Sequence, residues 1–224
     1  MRQINRKNKN YRKRITVTGL FLILWHLIAV TVASDLFPAP IAVLEAVMNI
    51  IVSEVFFSAV AISTGRVIGA MFFVTIFVVL LTLLSIYSDY IDIFTADIVF
   101  NLLYTIPPLA WVLIILITLG MSWISPILIV ATVTAPHFLI NLREGFINLD
   151  RDIIEVGDVF GTKEIAILRQ TVLPQLYPDL LSGFRSGLSS AWKTIVFAEF
   201  FTATEGIGYQ VQQAFTTYSA DIIA

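Results

Sequence analysis

A chain of 224 residues with 58% hydrophobic and only 13% charged residues lies well outside the composition of soluble domains, in which about a quarter of residues are charged. Its mean hydropathy of +0.87 and its long charge-free runs exclude a soluble globular protein and define an integral, polytopic, all-α membrane protein. The absence of cysteine excludes disulfides and thiolate metal sites, and the formal net charge of −2 hides an asymmetry, because half of the 14 Lys and Arg fall within residues 1–14.

That basic start (Arg2, Arg6, Lys7, Lys9, Arg12, Lys13 and Arg14) precedes a first apolar run over residues 15–34. A cleavable signal peptide also begins basic, but its small-residue cleavage context is weak near Ala33–Ser34, so the span is read as retained. Clustered Lys and Arg stay on the cytoplasmic side, which places the N-terminus there. The chain then leaves the membrane at Asp35, turns at Pro38 and Pro40, and continues with Val43, Ala46, Val47, Ile50 and Ile51 at helical spacing. An outer helix lying on the membrane surface fits this segment, whose charges, Asp35, Glu45 and Glu54, are all acidic.

A second span, from about Val55 to Tyr87, crosses inward and is interrupted only by Arg66. The following "SDYIDIF" carries Asp89 and Asp92 and no base, against the usual charge bias of a cytoplasmic loop; acids weigh little in that bias, so the topology stands. A third span over about 93–120 contains Pro107–Pro108, where the missing backbone donor and the steric clash predict a kink or break. After the short outer turn "LGMSWISP", a fourth span over about 123–142 returns inward. Arg143, Arg151, Lys163 and Arg169 then put residues 143–175 in the cytoplasm, in agreement with the crossing count. A fifth span, about 177–200, is the most polar, with Asp179, Arg185, Lys193 and Glu199; the tail after it carries acids and no base. With no linker or low-complexity tract, residues 1–224 read as one transmembrane domain.

The polar insert 143–175 is the anomaly in this apolar chain. Ile153, Val156 and Phe160 share one face of a short helix, and Ile165, Leu168 and Val172 share a face of the next. Gly161 between them suits the left-handed residue that ends a helix, Thr162 is placed to cap the second, Glu164 lies in its first turn, and Pro174 ends it. Helices this short are not stable alone in water, so one side must rest on the membrane helices while the other is free for a partner. An ordinary interhelical loop is the alternative, although loops of about 30 residues in compact proteins are usually functional.

Other side chains are weighed in the same way. Lys193 in a span points to a cavity or a partner, either attracting an anionic solute or pairing with an acid. Arg66 and Glu199 are better read as a bridge between spans than as solute ligands. Pro107 and Pro108 at the break, with Trp111 and Trp192, are candidate pathway residues, although aromatic side chains in membrane helices mostly pack; Phe197 is open to both readings. Gly183 and Gly187, with Ser189 and Ser190, allow close helix approach and point to an interface with a second copy. His26 and His137 lie in separate apolar runs, where a buried imidazole bonded to a neighbouring helix is expected rather than a metal or proton-relay site. No catalytic constellation and no cofactor motif is arguable, and the phosphate-binding loop G-x-x-x-x-G-K-[ST] is missing from the sequence.

The insert "EVGDVFGTKEIAILRQTVLP" resembles the EAA signature of ABC-importer permeases: Glu155, Gly161, Leu173 and Pro174 match in register, whereas Val156, Gly157 and Thr171 depart from it. "LFPAP", "STGRVIG", "IPPLAW", "AWKTIVFAEF" and "GIGYQVQQA", in this order, are similar to the nitrate/sulfonate/taurine-type branch of these permeases. The resemblance implies a type I importer permease fold of about five transmembrane helices with a cytoplasmic coupling-helix pair. Glu155, Gly161, Thr162, Leu173 and Pro174 would then serve coupling, and Pro107, Pro108, Trp111, Trp192 and Lys193 the translocation pathway. The partners implied are cytoplasmic ABC ATPase subunits, a second permease copy in a homodimer, an external substrate-binding protein and the lipid bilayer of the cell membrane, with no nucleic acid and no cofactor. The cargo would be a small anion such as nitrate, sulfonate or taurine. An ion-gradient-driven transporter or channel is the alternative, but it leaves the insert unexplained and calls for inverted repeats that the sequence does not display; a membrane enzyme would need convergent catalytic groups. The branch also implies one more span after "GIGYQVQQA". Residues 201–224 are too polar for it, so an outside C-terminus and a terminal re-entrant or surface helix by the pathway mouth are expected, whether the form is truncated or lacks that span.

Overall fold

A computed structural model describes residues 2–32 and 37–223, and every regular element among them is helical. The chain falls into two compact units, residues 1–57 and 58–224. In the first, α1 (Arg2–Val32) carries the first apolar run, Lys13–Val32, and α2 (Pro40–Ile51) is helical as the spacing of Val43, Ala46, Val47, Ile50 and Ile51 predicted. Pro40 sits in the first turn of α2, where its missing N–H goes unneeded. No residue of α2 is buried, and the Trp25 indole N–H donates to the Pro38 carbonyl at 3.2 Å, which ties the connection back to α1. Asp35, the predicted exit point, lies outside the described residues.

The long helix α3 (Glu54–Tyr87) leads into the second unit, which continues through α4 (Asp89–Ile93), a π-helical turn (Phe94–Val99), α5 (Phe100–Thr105) and α6 (Pro108–Leu119). The predicted break is present: Ile106 and Pro107 are extended (ψ 122° and 145°), and Tyr90–Thr105 and Pro108–Leu119 meet at 90°. Each of these two residues precedes a proline, whose Cδ drives its predecessor out of the helical region. Then follow α7 (Ser125–Ile147), α8 (Arg151–Val159), α9 (Glu164–Ile167), a second π turn (Leu168–Val172), α10 (Leu173–Thr202) and α11 (Ile207–Ile223).

Three helices, Lys13–Val32, Glu54–Ser85 and Ser125–Ile147, are long and apolar enough to cross a membrane, or four if the bent pair is one span. The segment expected as a fifth span lies within the helix α10, which is not among these candidates. Pro174 does not end a helix, contrary to the expectation from the sequence. The chain stays helical from Glu164 to Thr202 across the π turn that immediately precedes it. A widened turn relieves the clash and the lost hydrogen bond that a proline imposes one turn upstream.

The core lies where α3, α7 and α10 meet. Val67, Met71, Val74 and Val78 of α3 repeat at three- and four-residue steps in the same buried cluster as Phe138 and Leu142 of α7 and Ile195 of α10. Lipid tails are as apolar as these side chains, so close fit rather than exclusion of water holds such helices together. Gly183 and Gly187 serve that fit within the chain: a methyl group at either would run into Phe138. This corrects the expectation that these two glycines face a second copy. Where α7 meets α10 again, Gly145 makes room for the side chain of Asp179.

Candidate functional site

The protruding segment is anchored at both ends. Asp150 Oδ1 accepts the Ile153 N–H at 3.4 Å at the start of α8, and the Asp150 N–H donates to Gln175 Oε1 at 3.0 Å. Leu149, Ile167 and Val172 are buried beneath it. Gly161 has φ +66°, the left-handed geometry expected from the sequence, and the Thr162 N–H closes on the Gly157 carbonyl at 2.9 Å. Thr162 therefore completes the end of α8 through its backbone. Lys163, with no side-chain cap bond, takes the position at the start of α9 that was expected for Thr162. Gly157 stands where the EAA signature has alanine, and a Cβ there would lie 3.0 Å from Ile167 Cδ1, so the larger Ile167 fills the space between α8 and α9.

The two faces of the insert differ, but not along the division expected from spacing: Ile165, grouped there with Leu168 and Val172, is exposed. Val172 is fully buried and Leu168 packs on the core, whereas Val159, Phe160 and Ile165 are 83%, 82% and 71% exposed, joined by exposed Ile153 and Val156. Leu173 and Pro174 are also exposed. The backbone of Glu155 lies within α8; its side chain is outside the described residues.

A second polar centre lies inside the bundle. The Glu199 carboxylate, with no exposed surface, accepts Arg66 Nη1 at 2.8 Å, the Ser63 hydroxyl at 2.7 and 2.9 Å, and the Gly208 N–H at 3.0 Å. Arg66 Nη1 also donates to the Glu205 carbonyl at 2.8 Å, and Ser63 Oγ accepts the Ile207 N–H at 2.9 Å. Two side chains from other helices thus take up donors at the start of α11 that its own turns leave unpaired. The Arg66–Glu199 bridge was legible in the sequence; the part played by Ser63, Gly206 and Gly208 was not. The available signal was Ser63 three residues before Arg66, which places both on one face of α3.

The pathway candidates are not gathered into one chamber within the single chain. Pro107, Pro108, Trp192 and Lys193 are exposed, and Trp111 is half-buried with its indole N–H buried and without a partner among the described residues. None of them lines the cavities of about 310 and 400 Å³ in this unit. His26 is exposed on α1, contrary to the buried imidazole expected there, while His137 is half-buried.

Apolar helices of spanning length, a broken helix pair and a polar helical insert define a polytopic membrane protein. The family model for the inner-membrane component of binding-protein-dependent transport systems matches residues 94–224. The chain belongs to that family, as the permease subunit of an ABC-type importer. It is 28% identical to a "Probable ABC transporter permease protein" of Brucella melitensis, over 94% of this chain and 87% of the relative. Identity to the taurine transport system permease protein of Escherichia coli is 27%, over 93% and 78%. The nitrate import permease protein of Leptolyngbya laminosa is 28% identical over 55% of this chain and 44% of its own.

Proposed function

We propose that residues 1–224 act as one permease domain that imports a small anion such as nitrate, a sulfonate or taurine, with α8 and α9 as its docking point for a cytoplasmic ABC ATPase. The observation carrying this reading is the exposed apolar face of Val159, Phe160 and Ile165, held on an anchored base. Such a face in a polar segment fits a groove in a soluble partner. Five spans, with α10 as the polar fifth and the N-terminus in the cytoplasm, put this face on the ATPase side. Glu155 would meet a basic group of the ATPase, and Gly161 would set the angle between the two helices. Because α9 continues without interruption into α10, displacement of the insert by ATPase closure would tilt α10 and its exposed Lys193. A second copy would complete the route lined by Pro107, Pro108, Trp111, Trp192 and Lys193, with an external binding protein delivering the solute.

The substrate class is supported by the taurine and nitrate relatives and by an exposed lysine on the polar α10. Uptake of labelled taurine, an alkanesulfonate and nitrate, in cells supplying the cognate ATPase and binding protein, tests it. Wild-type permease should accumulate one of the three, and Lys193→Met should cut that uptake about tenfold or more with unchanged membrane yield. Uptake of none, or uptake indifferent to Lys193→Met, would contradict this reading.

A further inference from the structure

Beyond the transport route, we propose that the cavity between the ends of α3 and α7 and the π turn at Phe94–Val99 binds a small zwitterion, an oxyanion joined to a primary ammonium. The phosphoethanolamine head of a phospholipid and free O-phosphoethanolamine both have this chemistry. The cavity holds about 310 Å³, within the range of small-molecule sites. Its polar lining includes Ser85, Asp92, Thr95, Asp97, Asn101 and Arg143.

Three observations carry the assignment. Thr95 lines the cavity while being only 9% exposed, and its hydroxyl is buried with no partner among the described residues, an unpaired polar group at the cavity wall. Thr95 sits in a π turn, where one extra residue has been accommodated in the helix, a device frequent at functional sites. Arg143 and Asp92 approach only to 3.9 Å, beyond hydrogen-bond distance, so both charges remain available to a third group.

The balance of charge selects the ligand. Two carboxylates would repel a simple anion, and a simple cation would leave the guanidinium without an acceptor. A zwitterion satisfies both, its oxyanion taking the Arg143 fork and its ammonium the acids. Leu139 and Phe146 supply apolar wall for the carbon linker.

Purified permease provides the test without ATPase or transported solute, so its failure leaves the transport reading untouched. Two arms separate the sources. In detergent, thermal melting is followed against O-phosphoethanolamine, with inorganic phosphate and ethanolamine as single-charge controls. In bilayer discs of mixed phosphatidylethanolamine and phosphatidylglycerol, native mass spectrometry reads which lipid stays bound. The expected result is a saturable melting shift with O-phosphoethanolamine exceeding both controls, or selective retention of phosphatidylethanolamine. Arg143→Gln should weaken whichever is seen by about tenfold or more. If that variant does not fold, Thr95→Val, which keeps the side-chain shape, should weaken it about threefold or more. No response in either arm, or a response unchanged in the folded variant, overturns the proposal.

Discussion

Glu199 is the most constrained residue of the bundle. Its buried carboxylate holds Arg66 and Ser63 of α3 and the Gly208 N–H of α11. Two charges taken from water contribute little net stability, but removing one strands the other, at a cost of about 3–5 kcal/mol. Glycine is required beside them: Gly206 has φ +105°, and a Cβ there would collide with the Glu199 carboxylate. Gly206→Ala should therefore destabilise the protein by about 1–3 kcal/mol from the backbone alone, with the collision added. Melting in detergent checks this: a clear drop is expected for Gly206→Ala, and little change for Gly69→Ala, whose Cβ would meet nothing within 4 Å. The Arg66–Glu199 pair could be read from sequence because two opposite charges in apolar helices need each other. Its wider network could not, because a serine and two glycines carry no signal until a loop folds back onto them.

Among elements, the insert was the most legible and also the most misread. The shared face of Ile153, Val156 and Phe160 and the left-handed Gly161 followed from spacing and from glycine's freedom at positive φ, whereas the split between exposed Ile165 and buried Val172, which spacing had put on one face, did not. Pro174 was misread because proline usually stops a helix; the π turn at Leu168–Val172, which absorbs it, has no residue signature. Thr162 was misread because a threonine after a glycine looks like a cap, although it is the backbone N–H of Thr162 that makes the bond. The break at Pro107–Pro108 was legible because two successive prolines leave their predecessors no helical option. Gly161→Val tests the hinge. A branched residue at φ +66° should cost about 1–2 kcal/mol. Limited proteolysis should show faster cutting between α8 and α9, with the bundle intact; unchanged cutting would deny Gly161 its role in fixing the angle.

For the whole molecule, apolar runs revealed the helices but not how many of them cross. The helix α10 carries Asp179, Arg185, Lys193 and Glu199; Asp179 and Glu199 are accommodated by partners such as Gly145 and Arg66 that only the fold brings near. Orientation can be measured directly, since the chain has no native cysteine. Lys163→Cys should label only from the cytoplasmic side and Val52→Cys only from the outside; the reverse pattern would invert the topology. The central claim is that the α8–α9 face holds the ATPase, and copurification tests it most directly. Phe160 is 82% exposed, so Phe160→Glu should leave folding and membrane yield unchanged. Affinity capture of a tagged permease coexpressed with its ATPase should then recover the ATPase with the wild type and lose most of it with Phe160→Glu. Recovery of the ATPase at the wild-type ratio would contradict the account.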